Sequence, residues 1–207
     1  MYLPYVADTL NNLANLVKAD TRRRGEAEKL YLEALDIRRA LAKDHPAVYL
    51  PDVAQTLNNL AILVQADTRR RGAAEKLYQD ALEIYRALAK DHPSVFEPDL
   101  ASTLGALGKA QLLLWQDGPK ARVSLQEAAN ILKPYALKAP SVFGDKQANI
   151  LMLGGQASEN VNQACLAVEE ALGFAQSENI KAKITQIYAL CEKPSALNPP
   201  PASKRQW

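Results

Sequence analysis

Four asparagines stand where a helix interior disfavours them. Asn11 and Asn12 lie inside Thr9-Leu10-Asn11-Asn12-Leu13-Ala14, and Asn58 and Asn59 inside the identical run Thr56-Leu57-Asn58-Asn59-Leu60-Ala61. Asparagine competes with the helix for backbone hydrogen bonds, so such a repeated pair asks for a reason. Each carboxamide carries both donor and acceptor, which suits holding an extended main chain in a groove. The alternative is that one asparagine of each pair bonds the neighbouring repeat, the role favoured for Asn11 and Asn58.

Other residues could carry chemistry. Arg22, Arg23 and Arg24 recur as Arg69, Arg70 and Arg71. Six guanidinium groups at one edge could meet an acidic segment or phosphates, or simply be a solvated turn. His45 and His92 stand between Asp and Pro at helix exits, where a turn or capping role is expected. Cys165 and Cys191 lie in apolar-periodic segments without metal-ligand spacing, and read as buried free thiols in a reducing compartment. Trp115 ends a leucine run and should pack where the repeats meet the C-terminal helices. Ser or Cys beside a His–acid pair, a Gly-rich phosphate loop and a metal cluster are all missing from the pattern. The expectation is a non-enzymatic protein without cofactor or metal.

Composition narrows the class further. Net charge is only +2 over 207 residues, too balanced for a dedicated nucleic-acid footprint. Ala, Leu, Glu, Lys and Arg dominate, a helical composition. No apolar run is long enough to span a membrane, and Met1 to Asn11 lacks the pattern of a signal peptide, so a cytoplasmic location is expected.

The elements that position these residues follow a 47-residue period. Residues 2–48 and 49–95 differ at ten of 47 positions, and a weaker copy at 96–142 keeps Pro98, Ala101, Thr103, Leu104 and Leu107 in register. A fixed period of this size signals stacked supersecondary units. On a helical wheel over Val6 to Ala19, Val6, Leu10, Leu13, Ala14 and Val17 share one face. Asp8, Asn12 and Asn15 lie opposite, with Asn11 and Lys18 beside them. A second helix from about Gly25 to Lys43 places Ala27, Leu30, Tyr31, Ala34, Ile37 and Leu41 on one side. Pro46 ends it, and Tyr49 to Asp52 reads as a link to the next unit. In the third copy the turn becomes Trp115-Gln116-Asp117-Gly118-Pro119.

Past Phe143 the register fades. A short helix over Lys146 to Leu153 should break at Gly154-Gly155. Helices capped by Ser158 and Ser177 should follow, the last reaching Cys191.

Leu10, Leu13, Ala14, Ala27, Tyr31, Ala34 and Pro46 resemble the signature of tetratricopeptide repeats. Glu26-Ala27-Glu28, Ala34 to Arg38 and Lys43-Asp44-His45-Pro46 are closer to the kinesin-light-chain type. The resemblance covers residues 2–142. It implies an all-α, right-handed superhelical solenoid of antiparallel helix pairs, whose first helices line a concave groove that takes extended peptides. Carried over by position, Asn12 and Asn59 would bond the peptide main chain, while Ala106 breaks the pattern in the third copy. Asp8, Asn15 and Lys18 become Gln55, Ile62 and Gln65 in the second copy, and these six would set preference. The expected layout is three repeats over 1–143, a diverged helical pair and capping helix over 144–193, and a disordered tail over 194–207. The expected partner is a protein or peptide, neither nucleic acid nor membrane. The alternative is a self-association or assembly module working through an uncapped first repeat, or the sensor fragment of a larger repeat-containing signalling protein.

Overall fold

The computed structural model describes residues 2–191, so the tail expected over 194–207 lies outside the described residues. Nine α-helices and no strand are found among them. They are α1 (Leu3–Val17), α2 (Arg24–Asp44), α3 (Pro46–Val64), α4 (Arg71–Asp91), α5 (Pro93–Leu113), α6 (Gly118–Lys138), α7 (Pro140–Gln156), α8 (Val161–Phe174) and α9 (Glu178–Cys191). The fold is the all-α arrangement of consecutively packed helix pairs that a solenoid requires. The chain divides into two compact units, one ending at Gln116 and the other beginning at Asp117.

In the first unit, α1 packs on α2, α2 on α3, α3 on α4 and α4 on α5. Alanines make the close crossings: Ala7, Ala14, Ala27, Ala34, Ala54, Ala61, Ala74 and Ala81 are all fully buried. Tyr31 and Tyr78 are fully buried beside them. Between repeats, Leu35 of α2 packs with Val53 and Leu57 of α3 and Ala81 of α4, flanked by Leu77 and Ile84.

A single residue separates one repeat from the next. His45 ends α2, with its N–H donating to the Leu41 carbonyl, and immediately precedes α3. Its φ and ψ are −134° and 67°; His92 takes −135° and 66°, and Ala139 takes −137° and 70°. Alanine at the third break shows that the histidine side chain does not make the turn. The following proline does: Pro46, Pro93 and Pro140 each open a helix, and a residue before proline avoids the helical basin. Tyr49 to Asp52 is therefore not a link. It belongs to the first turns of α3, which continues through Pro51 at the loss of one helical hydrogen bond.

The apolar face expected on α1 is only partly the buried one. Ala7, Asn11, Ala14 and Val17 are buried, whereas Val6 and Leu13 are each 42% exposed. In α3 the same residue types at Val53 and Leu60 are buried, because α2 packs on that side.

In the second unit, α6 packs on α7, α7 on α8, and α9 on both α8 and α7. Helix α7 runs unbroken through Gly154-Gly155, against the expected interruption. The glycines permit close approach instead. A Cβ on Gly155 would stand 3.0 Å from the Ala164 carbonyl oxygen, and one on Gly144 would stand 2.5 Å from that of Phe174. Asn160, not Ser158, caps α8 by accepting from the Gln163 N–H. The Asp145 carboxylate on α7 accepts from the N–H groups of Gln176 and Ser177, tying down the entry to α9. Those bonds hold the Asp145 carboxyl below the usual aspartate range.

The cysteines correct another expectation. Cys165 and Cys191 are not free buried thiols but form a disulfide between α8 and α9. Both are half-buried. They are 26 residues apart and meet only once α9 folds back along α8.

Candidate functional site

The first helices of the repeats bring a set of polar side chains together in the first unit. Asn11, Asn12 and Asn15 of α1, Gln55, Asn58 and Asn59 of α3, Tyr85 of α4, and Asp99, Ser102 and Thr103 of α5 line one groove of about 320 Å³. Six of the ten residues expected to line a groove are in it. Asp8, Lys18, Ile62 and Gln65 are not.

The asparagine pairs are not equivalent to one another. Asn11 is 4% exposed, and its Oδ1 accepts from Nδ2 of Asn59 at 3.3 Å, a bond between neighbouring repeats. Asn12 is exposed. Asn58 lines the groove, and its Oδ1 is buried without a hydrogen-bond partner. The cross-repeat bond thus joins the first asparagine of one repeat to the second of the next, a pairing invisible within a single repeat.

The four residues outside the groove serve the scaffold. Asn15 Oδ1 accepts from the Tyr31 hydroxyl and from Lys18 Nζ, each at 2.7 Å. Ile62 holds the Asn15 position in the second repeat and offers no acceptor. There Tyr78 donates instead to Gln65, at the Lys18 position, again at 2.7 Å. Burial pushes Tyr31 up to about 12 and raises Tyr78 further still. Burial also lowers the Lys18 ammonium.

Asp8 and Gln55 follow the same logic. Asp8 pairs with Nη2 of Arg38 at 2.7 Å, and the Arg38 side chain is 4% exposed. Arg38 Nη1 donates to Thr56 Oγ1 and to the Asp52 carbonyl. One guanidinium therefore joins α1, α2 and α3. Burial raises the nearby Asp52 carboxyl, an effect the Arg38 charge partly opposes. In the second repeat Gln55 replaces Asp8 and the buried Tyr85 replaces Arg38. The groove residues missed from the sequence are Tyr85, Asp99, Ser102 and Thr103, and of these Tyr85 had one available signal: positions 8 and 38 change together between the first two copies.

The arginine edge is mostly engaged within the chain. Asp20 and Asp67 cap the short 3-10 turns at 21–23 and 68–70 and pair with Arg22 and Arg69. Arg23 pairs with Glu26 of its own repeat; in the second repeat Ala73 stands at the Glu26 position, and Arg70 reaches Glu28 of the preceding repeat. Arg71 lies 5.2 Å over the ring of the buried Trp115. Arg24 is exposed. His45 and His92 are exposed at the breaks between repeats.

The groove's chemistry is carboxamide and hydroxyl hydrogen bonding. Among the described residues, no group of three His, Cys, Asp or Glu side chains could hold a metal ion, and no helix is long and apolar enough to cross a membrane.

Residues 5–87, within the two near-identical copies, match the model of the tetratricopeptide repeat family, and these copies are tetratricopeptide repeats. That match does not distinguish the kinesin-light-chain type. Repeats of this family mediate protein–protein interaction. No curated protein matched the chain.

Proposed function

We propose that this repeat protein is a non-enzymatic scaffold that holds an extended or helical peptide segment in the groove lined by α1, α3 and α5. The observation that carries this reading is the convergence of Asn11, Asn12, Asn15, Gln55, Asn58 and Asn59 on one groove. Asn12 and Asn59 bond the peptide main chain, with Asn59 oriented by its bond to Asn11. Asn58 joins them: its Oδ1 has no partner in the chain, a cost of roughly 1–3 kcal/mol that a peptide N–H offsets after a small side-chain rotation. Preference is set by Asn15, Gln55, Tyr85 and Asp99 at the groove wall. Asp8, Lys18, Ile62 and Gln65 act through the framework. Affinity comes from many small contacts on a preformed surface.

The arginine edge contributes little to an acidic partner, because five of its six guanidinium groups already have acidic or aromatic neighbours. A cytoplasmic location loses the support of free cysteines, since bonds such as Cys165–Cys191 persist mainly in oxidising compartments.

A peptide library selected on the parent protein tests the reading. Selected peptides should lose at least tenfold in affinity for the Asn12→Ala, Asn59→Ala double variant. Asn12→Ala alone should leave the melting temperature unchanged, since that side chain is exposed. Peptides that bind the double variant as tightly as the parent would remove the groove from consideration.

A further inference from the structure

Three tyrosines are buried among the described residues, and they differ in how their hydroxyls are used. Tyr31 donates to Asn15 and Tyr78 donates to Gln65. Tyr85 is 4% exposed and lines the groove, and its hydroxyl makes no hydrogen bond to any described residue. A buried polar group without an internal partner calls for one from outside the chain.

The first repeat shows what the position can serve. Arg38, one period before Tyr85, donates to the Asp8 carboxylate, to Thr56 Oγ1 and to the Asp52 carbonyl. One period on, those three residues become Gln55, Thr103 and Asp99, and all three line the groove with Tyr85. The local bond is repeated too: the Thr103 hydroxyl donates to the Asp99 carbonyl at 2.9 Å, as the Thr56 hydroxyl does to the Asp52 carbonyl. The cation is not repeated. A phenol cannot supply the donors of a guanidinium, and Thr103 Oγ1 and the Gln55 carboxamide accept from no described residue.

The charge at this corner is unbalanced as well. Asp99 is the one charged side chain lining the groove among the described residues. The charges acting on the Tyr85 hydroxyl are the carboxylates of Asp99 and Asp52 against the single guanidinium of Arg38, which is already paired with Asp8. Burial first, and these carboxylates next, raise the hydroxyl above the usual tyrosine range, so it stays protonated.

We infer that the groove takes an arginine side chain of its bound peptide at the corner formed by Tyr85, Asp99, Thr103 and Gln55. The inference rests on the groove reading above and adds to it the class of partner, a basic peptide segment. The ligand guanidinium donates to Thr103 Oγ1 and the Tyr85 oxygen and lies against Asp99. It does from outside what Arg38 does from inside one repeat earlier. Lysine carries the charge without the planar fork and fits less well, and an acidic segment meets repulsion.

The probes are peptides selected from a library on the parent chain, each compared with a copy in which arginine is replaced by citrulline, its uncharged analogue. Selected peptides should share an arginine at one position, and citrulline there should weaken binding by about tenfold, as loss of a charged donor does. Gln55→Asp with Tyr85→Arg rebuilds the arrangement of the first repeat and fills the corner from inside. Arginine and citrulline peptides should then bind alike. If that variant does not fold, Asp99→Asn serves, and should narrow the difference to about threefold or less. Selected peptides that lack a shared arginine, yet are lost on Asn12→Ala with Asn59→Ala, would leave the groove reading standing and overturn this inference alone. A citrulline effect of the same size in the parent and the variants would place the arginine elsewhere and overturn it too. Peptides indifferent to the double asparagine change would overturn both.

Discussion

The first two repeats solve the same structural problems with different residues. In repeat 1 the buried Tyr31 hydroxyl finds its acceptor in Asn15; in repeat 2 Ile62 fills that position and Gln65 supplies the acceptor for Tyr78. In repeat 1 Asp8 and Arg38 form an ion pair that also grips α3; in repeat 2 Gln55 and Tyr85 stand at those positions. The arginine turn pairs inward through Glu26 in repeat 1 and backward to Glu28 in repeat 2. Five of the ten differences between the copies, at positions 8, 15, 18, 26 and 38, belong to these three exchanges. The lesson is that substitutions in near-identical repeats are best read in sets. A single replacement that strips a buried donor or acceptor is costly, and its compensating partner removes the cost.

The largest test of that comparison is at Arg38. Arg38→Ala should destabilise the protein by about 2–4 kcal/mol, because it leaves Thr56 and the Asp52 carbonyl short of a buried charged donor and Asp8 without its partner. Converting the site to the repeat 2 solution, Asp8→Gln with Arg38→Tyr, should bring the loss within about 1 kcal/mol. Urea unfolding of the single and double variants reads both values. If Arg38→Tyr alone is as stable as the double variant, the two positions are not a set.

A smaller effect is expected at Tyr31. Asn15→Ile should cost about 1–3 kcal/mol by leaving a buried hydroxyl without an acceptor, and adding Lys18→Gln should recover most of it. Equal thermal melts for the parent and Asn15→Ile would break the exchange of acceptors proposed between Asn15 and Gln65.

The least effect belongs to the pair that joins the two repeats at the surface. Glu28→Gln should cost only about 0.2–1 kcal/mol, since both partners are partly exposed. The hydrogen bond from Arg70 holds the Glu28 carboxyl below the ordinary glutamate range. A depressed value means that the stabilisation is present above the free glutamate value of about 4.3 and is lost as pH falls through the folded value. The parent should therefore lose its small advantage over Glu28→Gln on acidification, and also in high salt. An advantage that persists in acid would point to packing by the Glu28 stem.

Much of the fold was legible because its determinants are local. The 47-residue period, the two helices of each repeat and the breaks before Pro46, Pro93 and Pro140 are properties of short stretches. The groove was half legible: six asparagine and glutamine positions converge, but Tyr85 and Thr103 reach it from helices whose placement no wheel can give. The Tyr49 to Asp52 segment misled because Pro51 reads as a helix opener, while Pro46 had already taken that role. Gly154-Gly155 misled because glycine both breaks helices and admits close neighbours, and only the packing of α8 on α7 decides between the two.

The sequence by itself determined that the chain opens with helical repeats of the tetratricopeptide kind, and which side chains stand at equivalent positions in each unit. Periodicity and proline placement suffice for that, since they act within a turn or two of the chain. Only the tertiary structure decided that Leu13 is exposed while the identical Leu60 is buried, that Asn11 bonds Asn59, that Gln65 does the work of Asn15, and that Cys165 and Cys191 meet. Burial and partnership belong to pairs of elements, and the same residue takes a different role wherever its neighbouring helix changes.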